Sequence, residues 1–95
     1  MIYVGIDVAS DKHDVCIMSN DGEIFGKKFQ ILNSSDEYKK LLSKINEAKK
    51  FFKDSTVRIG IESTGVYSST ILNYFSKFDN IEVIFINPVL TNMFQ

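Results

Sequence analysis

Tyr3-Val4-Gly5-Ile6-Asp7 is echoed almost residue for residue by Arg58-Ile59-Gly60-Ile61-Glu62. Both are short apolar runs that close on an acid. In each, aliphatic residues alternate with a second set, Tyr3, Gly5 and Asp7 in one and Arg58, Gly60 and Glu62 in the other, the period of two that marks a β-strand. Each acid therefore shares a strand face with a glycine. If the two strands are parallel neighbours, both carboxylates leave the same sheet end with Cα atoms roughly 5 to 7 Å apart. Two ionised carboxylates about 5 Å apart repel by about 3 kcal/mol at an effective dielectric of 20, so a fold that keeps both charged usually places a cation between them. Oxygen-only donors favour magnesium or manganese. A single strand-terminal acid reads simply as a solvated end. Two acids behind two matched glycines read as a metal site, because ligand sites in open α/β sheets lie beyond the carboxyl ends of the strands.

The 95 residues make one small domain, with 44% hydrophobic and 24% charged residues and a net charge of −1. That charge argues against a general basic surface for nucleic acid, so any such contact must be local. Cys16 is the only cysteine, which excludes a disulfide framework and a thiolate zinc site within the chain and reads as a buried structural thiol. No stretch is long and apolar enough to span a membrane, and no secretory signal is visible, so the chain reads as cytoplasmic with no membrane partner.

Beyond the first strand, Val8-Ala9-Ser10-Asp11-Lys12-His13 reads as a turn and residues 14–19 as a second strand. Asn20-Asp21-Gly22 is a hairpin turn, and residues 23–31 supply the returning strand through Ile24, Phe25 and Phe29. A helix starts at Asn33-Ser34-Ser35-Asp36-Glu37, with a serine cap and acids in the first turn, and runs to about Phe52. Its buried stripe is Tyr38, Leu41, Leu42, Ile45, Ala48 and Phe52, and Lys39, Lys40, Lys44, Lys49, Lys50 and Lys53 read as a solvated face. The strand that ends at Glu62 follows, reached by this crossover and hence parallel to the first. Ser63-Thr64-Gly65 begins a second helix with Ile71, Leu72, Phe75 and Phe78 inward, and residues 81–86 form a strand expected to be covered on both faces, ended by Asn87-Pro88. The last residues, from Val89, stop inside an element, so the chain reads as the first part of a longer protein.

This order resembles the ribonuclease H-like fold, an α/β architecture with a five-stranded mixed sheet in the order 3-2-1-4-5. Within it the chain is similar to the N-terminal, RuvC-like domain of the DEDD transposases of the insertion-sequence 110 family. The residues that carry the resemblance are Tyr3-Val4-Gly5-Ile6-Asp7-Val8-Ala9, Lys12-His13-Asp14-Val15, Ile61-Glu62-Ser63-Thr64-Gly65-Val66-Tyr67 and Asn87-Pro88. By that resemblance Asp7 and Glu62 are the first two members of an acidic tetrad that is catalytic and metal-binding, with Mg2+ or Mn2+ as cofactor. The remaining two acids, and a C-terminal domain with a nucleophilic serine, are expected beyond Gln95. The resemblance implies a recombinase that acts on DNA, homo-oligomeric at full length, with a guide RNA encoded by the element in some members.

The other candidates are weaker. Thr64 and Gly65 at a helix start could offer amides to a phosphate, but capping is the first reading of Thr64. Tyr67 could stack on a base, though packing is the default for such an aromatic. His13, the only histidine, is expected as an exposed side chain, and Asp11 and Asp14 as turn residues that could assist a metal from outside. Two other classes share the opening strand: an actin-like or sugar-kinase ATP-binding domain, against which Val8-Ala9-Ser10 lacks the phosphate-loop glycine, and a catalytically silent interaction domain of the same fold.

Overall fold

The structure is a computed structural model that describes residues 1–62 and 68–86. Five strands and two helices follow one another as β1 (Ile2–Asp7), β2 (Lys12–Met18), β3 (Phe29–Leu32), α1 (Ser35–Phe52), β4 (Val57–Glu62), α2 (Ser68–Phe75) and β5 (Ile81–Ile86). The sheet order is β3-β2-β1-β4-β5, as expected from the resemblance. β1 runs antiparallel to β2, and β2 to β3, whereas β4 is parallel to both β1 and β5.

Alternation decides which side of the sheet each residue serves. Ile2, Val4 and Ile6 of β1, Val15 and Ile17 of β2, Ile31 of β3 and Val57, Ile59 and Ile61 of β4 are all buried, in one cluster with Leu41 and Ile45 of α1 and Ile71 and Phe75 of α2. Both helices therefore cover the same face. The chain order explains this: β3 to β4 and β4 to β5 both step in the same direction along the sheet, and right-handed crossovers in one direction stack on one side. The helices meet through Tyr38, whose ring lies 5.5 Å from that of Tyr74 and 6.2 Å from that of Phe75. The opposite face, with Gly5, Asp7, Gly60 and Glu62, carries no helix among the described residues.

The hairpin turn is built as its sequence requires. Gly22 takes φ 85, the Gly22 N–H donates to the Ser19 carbonyl at 3.0 Å, and the Ser19 hydroxyl accepts from the Asp21 and Glu23 amides. Beyond it the structure departs from expectation. The returning strand is not continuous over residues 23–31: Ile24 makes an isolated bridge to Met18, and the ladder resumes only at Phe29. Three steps along β2, from Val15 to Met18, face five on the return, from Ile24 to Phe29, so two extra residues bulge out around Gly26, whose φ is 71. β2 itself starts earlier than expected, at Lys12.

β5 also differs. It is an edge strand, buried only at Ile81, with Phe85 and Ile86 exposed, so its apolar run does not reflect cover on both faces. In α1 the expected stripe holds at Tyr38, Leu41, Ile45 and Ala48, while Leu42 and Phe52 are half-buried at its margins. Leu72 and Phe78 are half-buried too, with Phe78 past the end of α2. The expected helix start at residues 63–67 and the tail from Val89 lie outside the described residues.

Candidate metal and nucleic-acid site

The register of β1 and β4 pairs Gly5 with Gly60 and Asp7 with Glu62. The two acids are thus direct neighbours on adjacent strands, with Cα atoms about 5 Å apart by ordinary strand spacing. Both strands end at these residues, and the ladder extends one step further because the Val8 N–H donates to the Glu62 carbonyl at 3.0 Å.

A third carboxylate joins them. Asp14 pairs with Asp7 on the other side of β1, and Gln30 pairs with Asp14, so one rung across the helix-free face reads Gln30, Asp14, Asp7, Glu62, Ile86. The Gln30 side-chain amide donates to Asp14 Oδ1 at 2.9 Å, which fixes that carboxylate and leaves its second oxygen open. Sequence reasoning opens the second strand at Asp14 and reads it as a turn residue that could assist a metal only from outside. Its parity in β2, opposite to that of Val15 and Ile17, is the signal that puts it beside Asp7.

These residues line a groove of about 470 Å³. Its floor is low at Gly5, where an added Cβ meets nothing within 4 Å. On Gly60 a Cβ falls 2.8 Å from Ile86 Cδ1, so that side chain already lies over the glycine. Cys16 lines the groove and is half-buried rather than buried. Among the described residues Lys28, delivered by the bulge, is the one cationic residue in the lining, while Arg58, four residues before Glu62, is paired with Glu82 at 3.2 Å.

The donor set fits a hard divalent cation in its chemistry, since every charged donor is a carboxylate oxygen over an open floor. It does not by itself complete a site: among the described residues no group of three His, Cys, Asp or Glu is arranged to hold an ion. Thr64, Gly65 and Tyr67 lie outside the described residues.

His13 is not exposed. It points to the helix side with Val15 and Ile17, is 0% exposed, and accepts a hydrogen bond at Nδ1 from the Ala9 N–H at 3.2 Å. Its Nε2 finds no acceptor among the described residues. No helix is long and apolar enough to cross a membrane among those residues.

A family model described as a transposase, DEDD_Tnp_IS110, matches residues 4–95. No curated protein matches the chain. Among solved structures, the chain is similar over 98% of its length to T. thermophilus RuvC in complex with a Holliday junction substrate, with a TM-score of 0.61, 9% identity and 68% of that chain covered. An exopolyphosphatase from Cytophaga hutchinsonii gives a TM-score of 0.55 at 16% identity, over 94% of this chain and 35% of its own. A Fowlpox virus resolvase in complex with Holliday junction DNA gives 0.50 at 14% identity, over 93% of this chain and 61% of its own. The chain thus spans about two thirds, one third and three fifths of these neighbours. Such identities show the shared fold, which is ribonuclease H-like.

Proposed function

The chain belongs to the DEDD transposase family of insertion sequence 110, and from that premise we propose that its groove is part of a DNA strand-cleaving and strand-transferring centre, with Asp7 and Glu62 as ligands for magnesium or manganese. The observation that carries this reading is the direct pairing of the two acids across parallel strands, above the paired glycines. Asp7 and Glu62 would hold the ion, which when bound would supply Lewis-acid polarisation of a phosphoryl oxygen and countercharge for the leaving oxygen. The chain's own residues do the rest. Gly5 keeps the floor low enough for a sugar-phosphate backbone to approach the acids, and Lys28 offers a positive charge to a neighbouring phosphate. Two or three carboxylates supply one side of such a centre, so the remaining acids, the nucleophile and most of the grip on DNA come from segments beyond this chain. DNA as substrate accords with the two Holliday-junction complexes among the structural neighbours.

The test is strand cleavage and transfer on element-end DNA by the longer protein that contains this chain. Asp7→Ala and Glu62→Ala are each expected to lower the rate at least about 100-fold, because several kcal/mol of charge stabilisation is lost. Either variant cutting at the wild-type rate rules that residue out of the centre. Titration separates the alternatives: the ATP-binding reading requires saturable nucleotide binding, the transposase reading requires divalent metal at Asp7 and Glu62 without nucleotide, and a silent interaction domain shows neither.

A further inference from the structure

We propose that His13 is a positioning residue, whose buried imidazole latches the turn of residues 8–11 and thereby sets Asp7 against Glu62. The inference rests on the metal reading of those acids. Its own basis is a pair of consecutive hydrogen bonds immediately after Asp7. The Val8 N–H is tied to the carbonyl of Glu62 at 3.0 Å, and the Ala9 N–H to His13 Nδ1 at 3.2 Å. One tie joins the end of β1 to the strand that bears the second acid, and the other joins it to β2.

Packing does not account for histidine here. The neighbours of the same parity in β2 are Val15 and Ile17, both buried, and an aliphatic residue at 13 would fill the same face. Because Nδ1 accepts from Ala9, the ring proton sits on Nε2, and that donor has no acceptor among the described residues. A residue kept at 0% exposure with one donor unmatched is explained by what its other nitrogen holds. The turn above it is exposed at Ala9, Ser10 and Asp11, so the imidazole supplies a rigid acceptor from the core side to a segment that solvent surrounds elsewhere. Residues that orient metal ligands from behind in this way typically change metal affinity by about 10- to 100-fold when removed.

The test uses this chain with Mn2+ as the probe. His13→Asn places a carbonyl oxygen near the position of Nδ1, His13→Gln carries its amide further out toward Nε2, and His13→Leu removes the acceptor. Exchange of the Ala9 amide is expected to accelerate about tenfold or more in the Leu and Gln variants but not in Asn, with the Val4 and Ile59 amides protected as in wild type. Mn2+ affinity, read from paramagnetic broadening of the Asp7 and Glu62 signals, is expected to fall about tenfold or more in Leu and Gln and less than about threefold in Asn. Equal Mn2+ affinity in all three variants overturns the positioning role and leaves the metal reading intact. If the wild type itself shows no broadening, the two acids hold no ion without the remaining ligands, and the latch is judged on the metal-free Asp7 and Val8 amide shifts, which overturn it if they are unmoved in Gln. Should His13→Leu fail to fold, the contrast between Asn and Gln decides.

Discussion

The two glycines beneath the acids make opposite demands on a substituted methyl group. At Gly5 an added Cβ meets no atom within 4 Å, whereas at Gly60 it meets Ile86 Cδ1 at 2.8 Å. Gly5→Ala is therefore expected to leave stability unchanged or raise it by up to about 1 kcal/mol through the unfolded chain, while its methyl group intrudes on the groove and slows DNA cleavage. Gly60→Ala displaces only the free end of a side chain on an exposed edge strand, so its cost is expected to stay near 1 kcal/mol, the low end of overpacking. Urea midpoints check both, and a loss of about 3 kcal/mol at Gly60 would mean that Ile86 is held in place. Residues 13 and 14 show how much of the site the sequence already contained. Once Val15 and Ile17 are read as inward, the period of two forces His13 inward and Asp14 outward, yet the charged neighbours of both residues suggest a turn. Knowing where β2 begins is what resolves them, and strand starts are weakly marked in sequence.

Among the elements, α1 was legible to its ends because its caps are chemical. Ser34 Oγ accepts from the Glu37 N–H at 3.3 Å, and Glu37 Oε1 reaches back to the Leu32 N–H at 3.1 Å, tying the helix to the end of β3. The helix stops at Lys53, in the left-handed region at φ 54, where the Lys53 N–H bonds the Lys49 carbonyl. Ser34→Ala is expected to cost about 1 kcal/mol, and Lys53→Gly to gain up to about 1 kcal/mol by relieving a conformation that glycine adopts freely. The hydrogen bond from Lys40, then that from the Leu32 amide, holds the Glu37 carboxyl below its ordinary value of 4.5. A depressed carboxylate stabilises the fold fully above that value and loses the effect as pH falls through the lowered one. The stability gap between wild type and Glu37→Gln is thus expected to be flat near neutral pH and to close below pH 4.5, which urea midpoints across pH will show. β3 was less legible. Nothing in its apolar pattern announces that Gly26 takes a positive φ and expels two residues from the ladder, and so nothing announces that Lys28 reaches the groove.

At the scale of the molecule, the strand order and the parallel pairing of β1 with β4 followed from one hairpin and two crossovers, but the exposure of β5 did not, because a buried strand and an edge strand with an uncovered face can share one apolar sequence. The same topology stacks both helices on one side and leaves the acid rung on the other, so the groove contributes little to the core and its charges work against the sheet when no cation is present. This separation allows a direct measurement. In metal-free buffer, Asp7→Ala and Glu62→Ala are expected to melt at or slightly above the wild-type temperature, since each removes a like charge from the rung and neither side chain belongs to the buried core among the described residues. With Mn2+ or Mg2+ at ten times its dissociation constant, binding to the native state alone adds about 1.4 kcal/mol, or about 6 to 11 °C for a domain of this size. That increment should appear in the wild type and vanish in both variants. A strong loss of stability in metal-free buffer would instead make the acid a structural member of the sheet end, and the pair would then no longer support a metal centre.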